Sequence, residues 1–410
     1  MSTYPLRTLD PDDEDFSDLE PLREIVGDAR VVAIGESAHK VHEFFQLRHR
    51  LTRFLVRELG FTAVALESGF PEGLAVDDWV RGGPGDLDAL LHDGVTYRFG
   101  RCEEARGQLE WMRSLNGRVH FYGMDVPGSS ATSVPAIEAC LPLLDAVDPG
   151  YAKVVREQLL PLFDYLPADR SGMLWVVPAL HAYMALDAGR RHEITARVGA
   201  LAERLQAMRI VYGADDQADK AIRCAATARH MDGFLNAMAD GATRTYPGAN
   251  IRDAAMAENV EWILNREERL VIGAHNGHIQ REPLWAPPVI NEKLTTLGGH
   301  LAAALGPDLV VIGSAFGGGT LETHRLLPDG PPGHAEAYTM DVGPLEPDTI
   351  DAVLSAAGLP LHLTDLRKAP APTATKIMNG AQSQPIDPAT SFDALVYIDS
   401  VTPWHAFATA

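Results

Sequence analysis

Glutamate and histidine side chains that could activate water occur at two places in the chain. Glu36 and His39 follow the apolar run "VVAIG", and His275 and His278 follow the run "LVIGA". A histidine beside a carboxylate can act as a general base that takes a proton from water. Two histidines three residues apart on a turn can also converge on one point, as metal ligation or stabilisation of an oxyanion requires. The pattern predicts acid–base hydrolysis or a metal site.

Six strand-length apolar runs each lead directly to a polar or reactive residue. These residues are Glu36, Glu67, Asp125, His275, Ser314 and Asp399. Apolar runs without alternation are typical of parallel strands buried on both faces. The helix-like segments between them predict an α/β fold, with a mainly parallel central sheet flanked by helices. Because ligands bind at the carboxyl ends of such strands, we expect at least four of these side chains at one cleft.

The segment after the first run predicts an amphipathic helix with Ser37 as its N-cap. His39 would then lie in the first turn, where the helix dipole keeps the imidazole neutral. Arg48 falls on the apolar face of this helix, where an unpaired charge is too costly. We therefore expect Arg48 to bind Glu67 or Glu36. Three residues toward the polar side of the helix, His42, Glu43 and His49, are expected to be mostly solvated.

Three further residues, Asp125, Arg252 and Asn276, are predicted to support the site. Asp125 would cap a helix or orient a histidine. Arg252 and Asp253 would lie in the first turn of a helix, where Arg252 binds a substrate carboxylate or pairs with Asp253. Asn276, between the two histidines, is expected to bind substrate or shape the site.

The strand signal divides the chain into three parts. Residues 1–140 and 251–410 are predicted to form the two parts of the α/β catalytic core. Residues 141–250 read as helix and are predicted to form an insertion or lid that is part of the active-site cleft. After Leu321 the chain is rich in Pro and Gly, which predicts loops until a last strand at 394–398.

The net charge of −21 disfavours nucleic acid and anionic membranes as partners. The N-terminus lacks the features of a signal peptide, and no apolar run approaches the roughly 18 residues of a membrane span. Cys102, Cys140 and Cys224 have no zinc or disulfide spacing and are expected to be buried, reduced thiols. We expect a cytoplasmic protein, and the sequence leaves its oligomeric state open.

As a set, the motifs resemble the erythromycin esterase family, whose members are also labelled succinoglycan biosynthesis proteins. The matching pieces are "IGESAH", "FFQLRHRLTRFLVRELGF", "VALES", "YGMDV", "RDAAMAENVEWIL" and "AHNGHI". The resemblance implies hydrolysis of an ester, in the best-known members a macrolide macrolactone, without cofactor, metal or covalent serine. The absence of a G-x-S-x-G motif agrees with direct attack by water.

The resemblance also implies roles for single residues. His39 would deprotonate water with Glu36 as its carboxylate partner, and Arg48 and Glu67 would shape the site. The two later histidines, His275 and His278, would bind or protonate the carbonyl and leaving oxygens. Lys40 is a departure, because the family has a small glycine at this position. We expect Lys40 at the cleft rim to influence which small-molecule ester or lactone is accepted.

Three alternatives remain open from the sequence. The same site could belong to a tailoring enzyme of a natural-product pathway that acts on a lactone, cyclic imide or amide. Its carboxylates and histidines could instead be zinc or manganese ligands of a metal-dependent hydrolase. The cleft could also belong to a noncatalytic module that binds a ligand without changing it.

Overall fold

The computed structural model describes residues 2–167, 173–213, 215–239, 246–287, 290–327, 335–368 and 373–407. The strands in these ranges are β1 (Ser2–Pro5), β2 (Val31–Glu36), β3 (Ala63–Gly69), β4 (His120–Asp125), β5 (Leu270–His275), β6 (Leu284–Ala286), β7 (Ile290–Leu294), β8 (Leu309–Phe316), β9 (Thr320–Leu326), β10 (Ala335–Asp341), β11 (Leu361–Asp365), β12 (Lys376–Asn379), β13 (Gln382–Pro385) and β14 (Ala394–Ile398). The α-helices are α1 (Pro21–Val26), α2 (His42–Leu59), α3 (Phe70–Val80), α4 (Leu87–Ala89), α5 (Glu103–Ser114), α6 (Val134–Val147), α7 (Pro149–Val154), α8 (Met173–Met184), α9 (Ala188–Ala207), α10 (Arg209–Tyr212), α11 (Asp216–Ala239), α12 (Tyr246–Leu264), α13 (Asn276–Ile279), α14 (Leu297–Leu305), α15 (Ile350–Ser355) and α16 (Pro388–Ser391).

Eight strands form the central sheet, in the order β1-β11-β14-β8-β2-β5-β3-β4. The six strands from β14 to β4 are parallel, and β1 and β11 extend one edge in antiparallel pairing. All six predicted strands are present and lie in this sheet. The prediction of a mainly parallel α/β sheet flanked by helices is therefore confirmed.

The alternating side chains of β2 bury the sheet on both faces. Val32 and Ile34 pack into a core with the apolar face of α2, while Val31 and Ala33 face a second core that includes residues of α12. The predicted apolar residues of α2 are buried, namely Phe44, Leu47, Leu51, Phe54 and Leu55. Burial of both faces explains why the strands appear in the sequence as unbroken apolar runs.

Helices occupy the described residues between 141 and 250, and no strand occurs in that part of them. Residues of α6, α9 and α11 share a third apolar core. Its members include Cys140 and Cys224, which are buried free thiols, as is Cys102. The division into two core parts and an insertion stays a prediction. None of the described helices has both the length and the apolar character needed to cross a membrane.

The expectation that loops dominate after Leu321 is wrong. Strands β9 and β10 form an antiparallel pair, and β11 joins the central sheet beside β14. The Pro- and Gly-rich positions 328–334 and 369–372 lie outside the described residues. These strands were not predicted because they have little apolar sequence of their own and lie near Pro- and Gly-rich segments.

Candidate active site

The carboxyl ends of β2 and β5 bring Glu36 and His275 side by side as register partners. Oε1 of Glu36 lies 2.7 Å from Nδ1 of His39, and its Oε2 accepts a hydrogen bond of 3.1 Å from Arg48. Glu36 is thus the expected partner of Arg48. Close packing fixes the guanidinium stem, since a Cβ at Gly273 would lie only 2.5 Å from Cδ of Arg48.

His39 lies in a loop before α2, which corrects the prediction of a first-turn position. The helix begins at His42 with Val41 as its N-cap. Ser37 does not cap it: its hydroxyl donates to the carbonyl oxygen of Ser314 in β8. The loop is therefore anchored to the sheet, and the helix dipole is not what sets the protonation of His39.

Burial opposes protonation of His39, but the hydrogen bond that it donates to Glu36 and the charge of Glu67 outweigh this effect, so the pKa of His39 is raised. The expectation that the position of His39 favours the neutral ring is therefore wrong. Burial also opposes ionisation of Glu36, yet His39 and Arg48 hold its pKa below the ordinary value. His39 is therefore a stronger base than an ordinary histidine, and its partner Glu36 is ionised.

His275 differs from His39 in its protonation. Burial, followed by the nearby charge of His39, lowers the pKa of His275 to about 4. Its Nδ1 accepts a hydrogen bond of 3.0 Å from the Gly277 N–H, and its Nε2 lies 3.3 Å from the carbonyl oxygen of Ser37. These partners fit a neutral ring with the proton on Nε2. The centroids of the His39 and His275 rings are 4.9 Å apart.

Glu67 binds Arg252 and not Arg48, which overturns one of the two expected pairings. Its Oε1 accepts a hydrogen bond of 2.9 Å from Arg252, and its Oε2 accepts one of 3.0 Å from the backbone N–H of His275. Burial opposes its ionisation, but the charge of His278 and its other cationic neighbours hold the pKa of Glu67 well below the ordinary value. Glu67 therefore joins the strand ends electrostatically.

Arg252 and Asp253 lie in the second turn of α12, and they do not pair with each other as predicted. Nε of Arg252 donates to Asp125 over 3.0 Å, and Tyr97 donates to the same carboxylate over 2.9 Å. Asp125 thus orients an arginine, and not a histidine or a helix end. Asp253 is instead the carboxylate that orients His278, because it lies 2.6 Å from Nδ1 of that ring.

His278 has carboxylates on both ring nitrogens. Its Nδ1 faces Asp253, and its Nε2 lies 3.3 Å from Glu67. Burial opposes protonation, but these two carboxylates raise its pKa to about 10. The ring is a cation at neutral pH, held by Asp253 and Glu67.

Asn276 lies beneath the site and is 1% exposed. Its amide nitrogen donates to the Ser37 hydroxyl and to the Ser314 carbonyl oxygen, over 3.0 and 2.8 Å. The side chain of Asn276 therefore holds the His39 loop to β8.

Lys40 lies at the cleft rim in an ion pair of 2.7 Å with Glu322. The pair is packed beside Trp404, whose ring centroid is 5.3 Å from the ammonium group. The φ angle of Lys40 is +61°, in the left-handed region where a side chain costs energy and glycine does not. This conformation explains why a glycine fits the position well.

A cavity of about 180 Å³ opens beside His39 and His275. Lys40, Glu322 and His324 form part of its wall, and Asn379 lies on it as well. Glu322 and His324 come from β9, a strand that the sequence did not predict. The cleft wall therefore contains polar residues that motif spacing could not identify.

The expectation that the polar residues of α2 are mostly solvated is wrong for His49. His49 is buried against Trp111, and burial together with the cation of Arg53 lowers its pKa to about 3. Glu43 accepts hydrogen bonds from Thr402.

Across the described ranges, one group of three histidine and acidic side chains converges closely enough to hold a metal ion. This group is His42, Glu104 and His405, which are not among the residues that line the cleft.

Comparisons with known proteins agree with this architecture. A family model described as Erythromycin esterase matches residues 56–401. The chain is 29% identical to an erythromycin esterase type II of Escherichia coli, over 75% of this chain and 74% of that protein. It is 26% identical to an erythromycin esterase type I of Escherichia coli, over 96% of each. A solved erythromycin esterase mutant in its open conformation superposes with a TM-score of 0.82 at 21% identity, over 98% of both chains.

Proposed function

The chain belongs to the erythromycin esterase family and is a carboxylic ester hydrolase of that type, and from this premise we propose that His39 activates the attacking water. The observation that carries the proposal is the 2.7 Å contact between Glu36 and Nδ1 of His39 at the edge of the cleft. When His39 is neutral, its Nδ1–H donates a hydrogen bond to Glu36 and its Nε2 offers a lone pair to water. Glu36 strengthens this base and stabilises the imidazolium that forms.

His275 is the proposed donor to the developing oxyanion. It lies beside His39, and its neutral ring carries a proton on Nε2, where the present acceptor is the Ser37 carbonyl oxygen at 3.3 Å. Such a long contact is exchanged easily for a charged oxygen, and the resulting charge-assisted bond is stronger in the transition state than in the ground state.

Arg252, Glu67 and His278 are proposed to position the reacting groups. Glu67 accepts the backbone N–H of His275, while Arg252 and His278 neutralise Glu67. The involvement of both His278 nitrogens favours a positioning role over direct protonation of substrate. Loss of this network would displace His275 and alter the field at His39.

The proposed substrate is a small-molecule ester or lactone, with a macrolactone as the first candidate. The relatives reported above are named for activity on erythromycin. Lys40 and Glu322 border the cleft next to His39, so their ion pair limits the shape and charge of what reaches the base. We therefore propose Lys40 as a residue that selects among esters.

Mass spectrometry of a panel of macrolides, lactones, esters, cyclic imides and amides tests the proposal. A substrate should gain the mass of one water, and His39→Ala should abolish most of this gain. His92→Ala is the matched control, because His92 is an exposed histidine that also contacts a carboxylate. If the panel is bound but unchanged, the noncatalytic alternative is favoured; if only cyclic imides or amides react, the tailoring enzyme is favoured.

A single turnover in ¹⁸O-labelled water, with enzyme in excess, tests direct attack by water. The proposal predicts one labelled oxygen in the product acid and no label in the protein. Label in the Glu36 or Glu67 carboxylate would contradict it, because it would indicate a covalent acyl intermediate. Elemental analysis of the wild-type and His39→Ala proteins, together with activity after chelation, tests the metal-dependent alternative. A metal held by the histidines of the candidate site would be lost in His39→Ala.

A further inference from the structure

Three side chains from distant parts of the chain converge on one carboxylate outside the cleft. His42 is the first residue of α2, Glu104 lies in the first turn of α5, and His405 follows β14 near the end of the described chain. Nδ1 of His42 and Nδ1 of His405 lie 2.5 and 3.2 Å from the same Oε1 of Glu104. The two imidazole ring centroids are 4.2 Å apart.

The geometry points to a divalent metal site, and we propose that His42, Glu104 and His405 bind zinc. Two imidazoles and one carboxylate are a common ligand set for this ion. Ligand bonds of about 2.0–2.1 Å in a tetrahedron place ligand atoms about 3.3 Å apart. One candidate ligand atom from each of the three residues lies within 4.8 Å of the others, so small side-chain rotations suffice. The fourth ligand would be water, because the exposed side of the site at His405 is in contact with solvent.

Backbone contacts already preorganise this site. The His42 N–H donates to the Thr402 carbonyl oxygen over 3.0 Å, and the His405 N–H donates to Glu104 over 3.0 Å. The carboxylate of Glu104 is 6% exposed, whereas the His405 side chain is 61% exposed. Two of the three ligands are therefore held in place, and His405 is free to adjust to an ion.

Zinc at this position would fasten the C-terminal segment to the loop that carries His39. The Trp404 N–H donates to the Lys40 carbonyl oxygen over 2.9 Å, one residue from His39. Trp404 also packs against Lys40 and Phe45. The bound ion would thus stabilise the cleft without contacting the reacting atoms.

Calorimetric titration of metal-free full-length protein with zinc chloride tests the proposal. We expect one equivalent of bound zinc and a higher melting temperature in its presence. Loss of a residue that hydrogen-bonds to a metal ligand lowers metal affinity by roughly 10–100-fold. Because His405 is itself a proposed ligand, His405→Ala should weaken zinc binding by more than this. Because His405 is largely exposed, this substitution should leave the far-UV circular dichroism unchanged.

Two control variants distinguish this site from other sites of binding. His39→Ala removes the cleft histidine, and His92→Ala removes an exposed histidine that contacts Asp93. Both should bind zinc with wild-type affinity. The proposal is overturned if no saturable binding occurs, if His405→Ala binds as tightly as wild type, or if affinity is lost in His39→Ala instead. All of these zinc-binding measurements can be made without knowing the ester substrate.

Discussion

The candidate active site has two halves that differ in how many of their polar atoms have hydrogen-bond partners. The His39 cluster consists of Glu36, His39, Arg48 and His275. The Arg252 network consists of Glu67, Asp125, Arg252, Asp253 and His278. Among the described contacts, His39 makes a hydrogen bond only through Nδ1, and its side chain is 28% exposed. In the network, Arg252 binds Asp125 and Glu67, and its remaining nitrogen lies 3.2 Å from Nε2 of His278. His278 also contacts Asp253 and Glu67, and Asp125 is fully buried.

In the proposed mechanism, this difference separates His39, which exchanges protons, from groups that anchor the strand end that carries His275. A general base needs a free lone pair that substrate water can reach. In a buried ion-pair network every charge has a partner. Removal of one member therefore leaves a buried charge unpaired, which destabilises the fold. The two halves should therefore respond differently to substitution, in activity for one and in stability for the other.

The largest expected effect on activity is that of His39→Ala. Loss of the base should lower kcat by about 10²–10⁴-fold. The melting temperature should change little, because His39 is partly exposed and lies in a loop. Steady-state kinetics and thermal unfolding of His39→Ala and the His92→Ala control measure both. Full turnover by a folded His39→Ala protein would refute the assignment of the base.

The largest expected effect on stability is that of Arg252→Ala. It leaves Asp125 buried without its cation and Glu67 with His278 still beside it, which should reduce the free energy of unfolding by about 3–5 kcal/mol. Arg325→Ala is the matched control: Arg325 pairs with Glu336 at the surface, so the loss should be within about 1 kcal/mol. Urea unfolding compares the two variants. Equal losses would show that the Arg252 network does not stabilise the fold.

Glu36→Gln should move the pH profile in a defined direction. Glu36 raises the pKa of His39 above 6.5, and the base acts when deprotonated, so kcat/KM should increase with pH through that raised pKa. Removal of the negative charge lowers the pKa of His39, so the acidic limb should shift to lower pH while the maximal rate falls. The pH dependence of kcat/KM measures this. A limb that stays in place, or shifts to higher pH, would contradict Glu36 as the partner of His39.

The same pair predicts how stability depends on pH. Because the folded-state pKa of His39 is raised, its contribution is complete below about 6.5, the unfolded-state value, and is lost as pH rises through the folded value. The effect should be absent in His39→Ala.

The smallest expected effect is that of Lys40→Gly. Glycine removes a left-handed strain of about 1–2 kcal/mol, which offsets much of the lost ion pair with Glu322. Stability should change little, while KM across the ester panel should change more than kcat. Lys40→Met separates the causes, because it removes the charge and keeps the strain. If both variants show the wild-type substrate preference, Lys40 has no part in selection.

Sequence periodicity predicted the elements whose burial is uniform. The six parallel strands were visible because both faces are buried, and Arg48 was placed correctly because a charge on an apolar face needs a partner. The strands β9 and β11 were missed, since polar residues interrupt the apolar ones in "TLETHRL" and "LHLTD" and leave no unbroken apolar run. Glu322 and His324 were therefore missing from the predicted cleft.

Long-range pairing was the part that sequence could not specify. Arg252 contacts Asp125 and Glu67, whose positions along the chain do not determine which carboxylate it meets. Asp253 carried a signal, as the neighbour of Arg252 in a recognised motif, but was assigned to the wrong partner. Tyr97 carried none. The start of α2 was misplaced because Ser37 has the residue type of an N-cap and yet binds β8.

Imidazole rescue of His39→Ala tests most directly whether His39 is the base. Added imidazole should restore part of the lost rate with a saturable dependence, and the restored rate should increase with pH as more imidazole becomes neutral. The same additive should not restore activity to Arg252→Ala, whose defect is positional. Rescue confined to His39→Ala is the predicted result. Equal rescue of both variants, or none in a folded His39→Ala protein that binds substrate normally, would contradict the assignment.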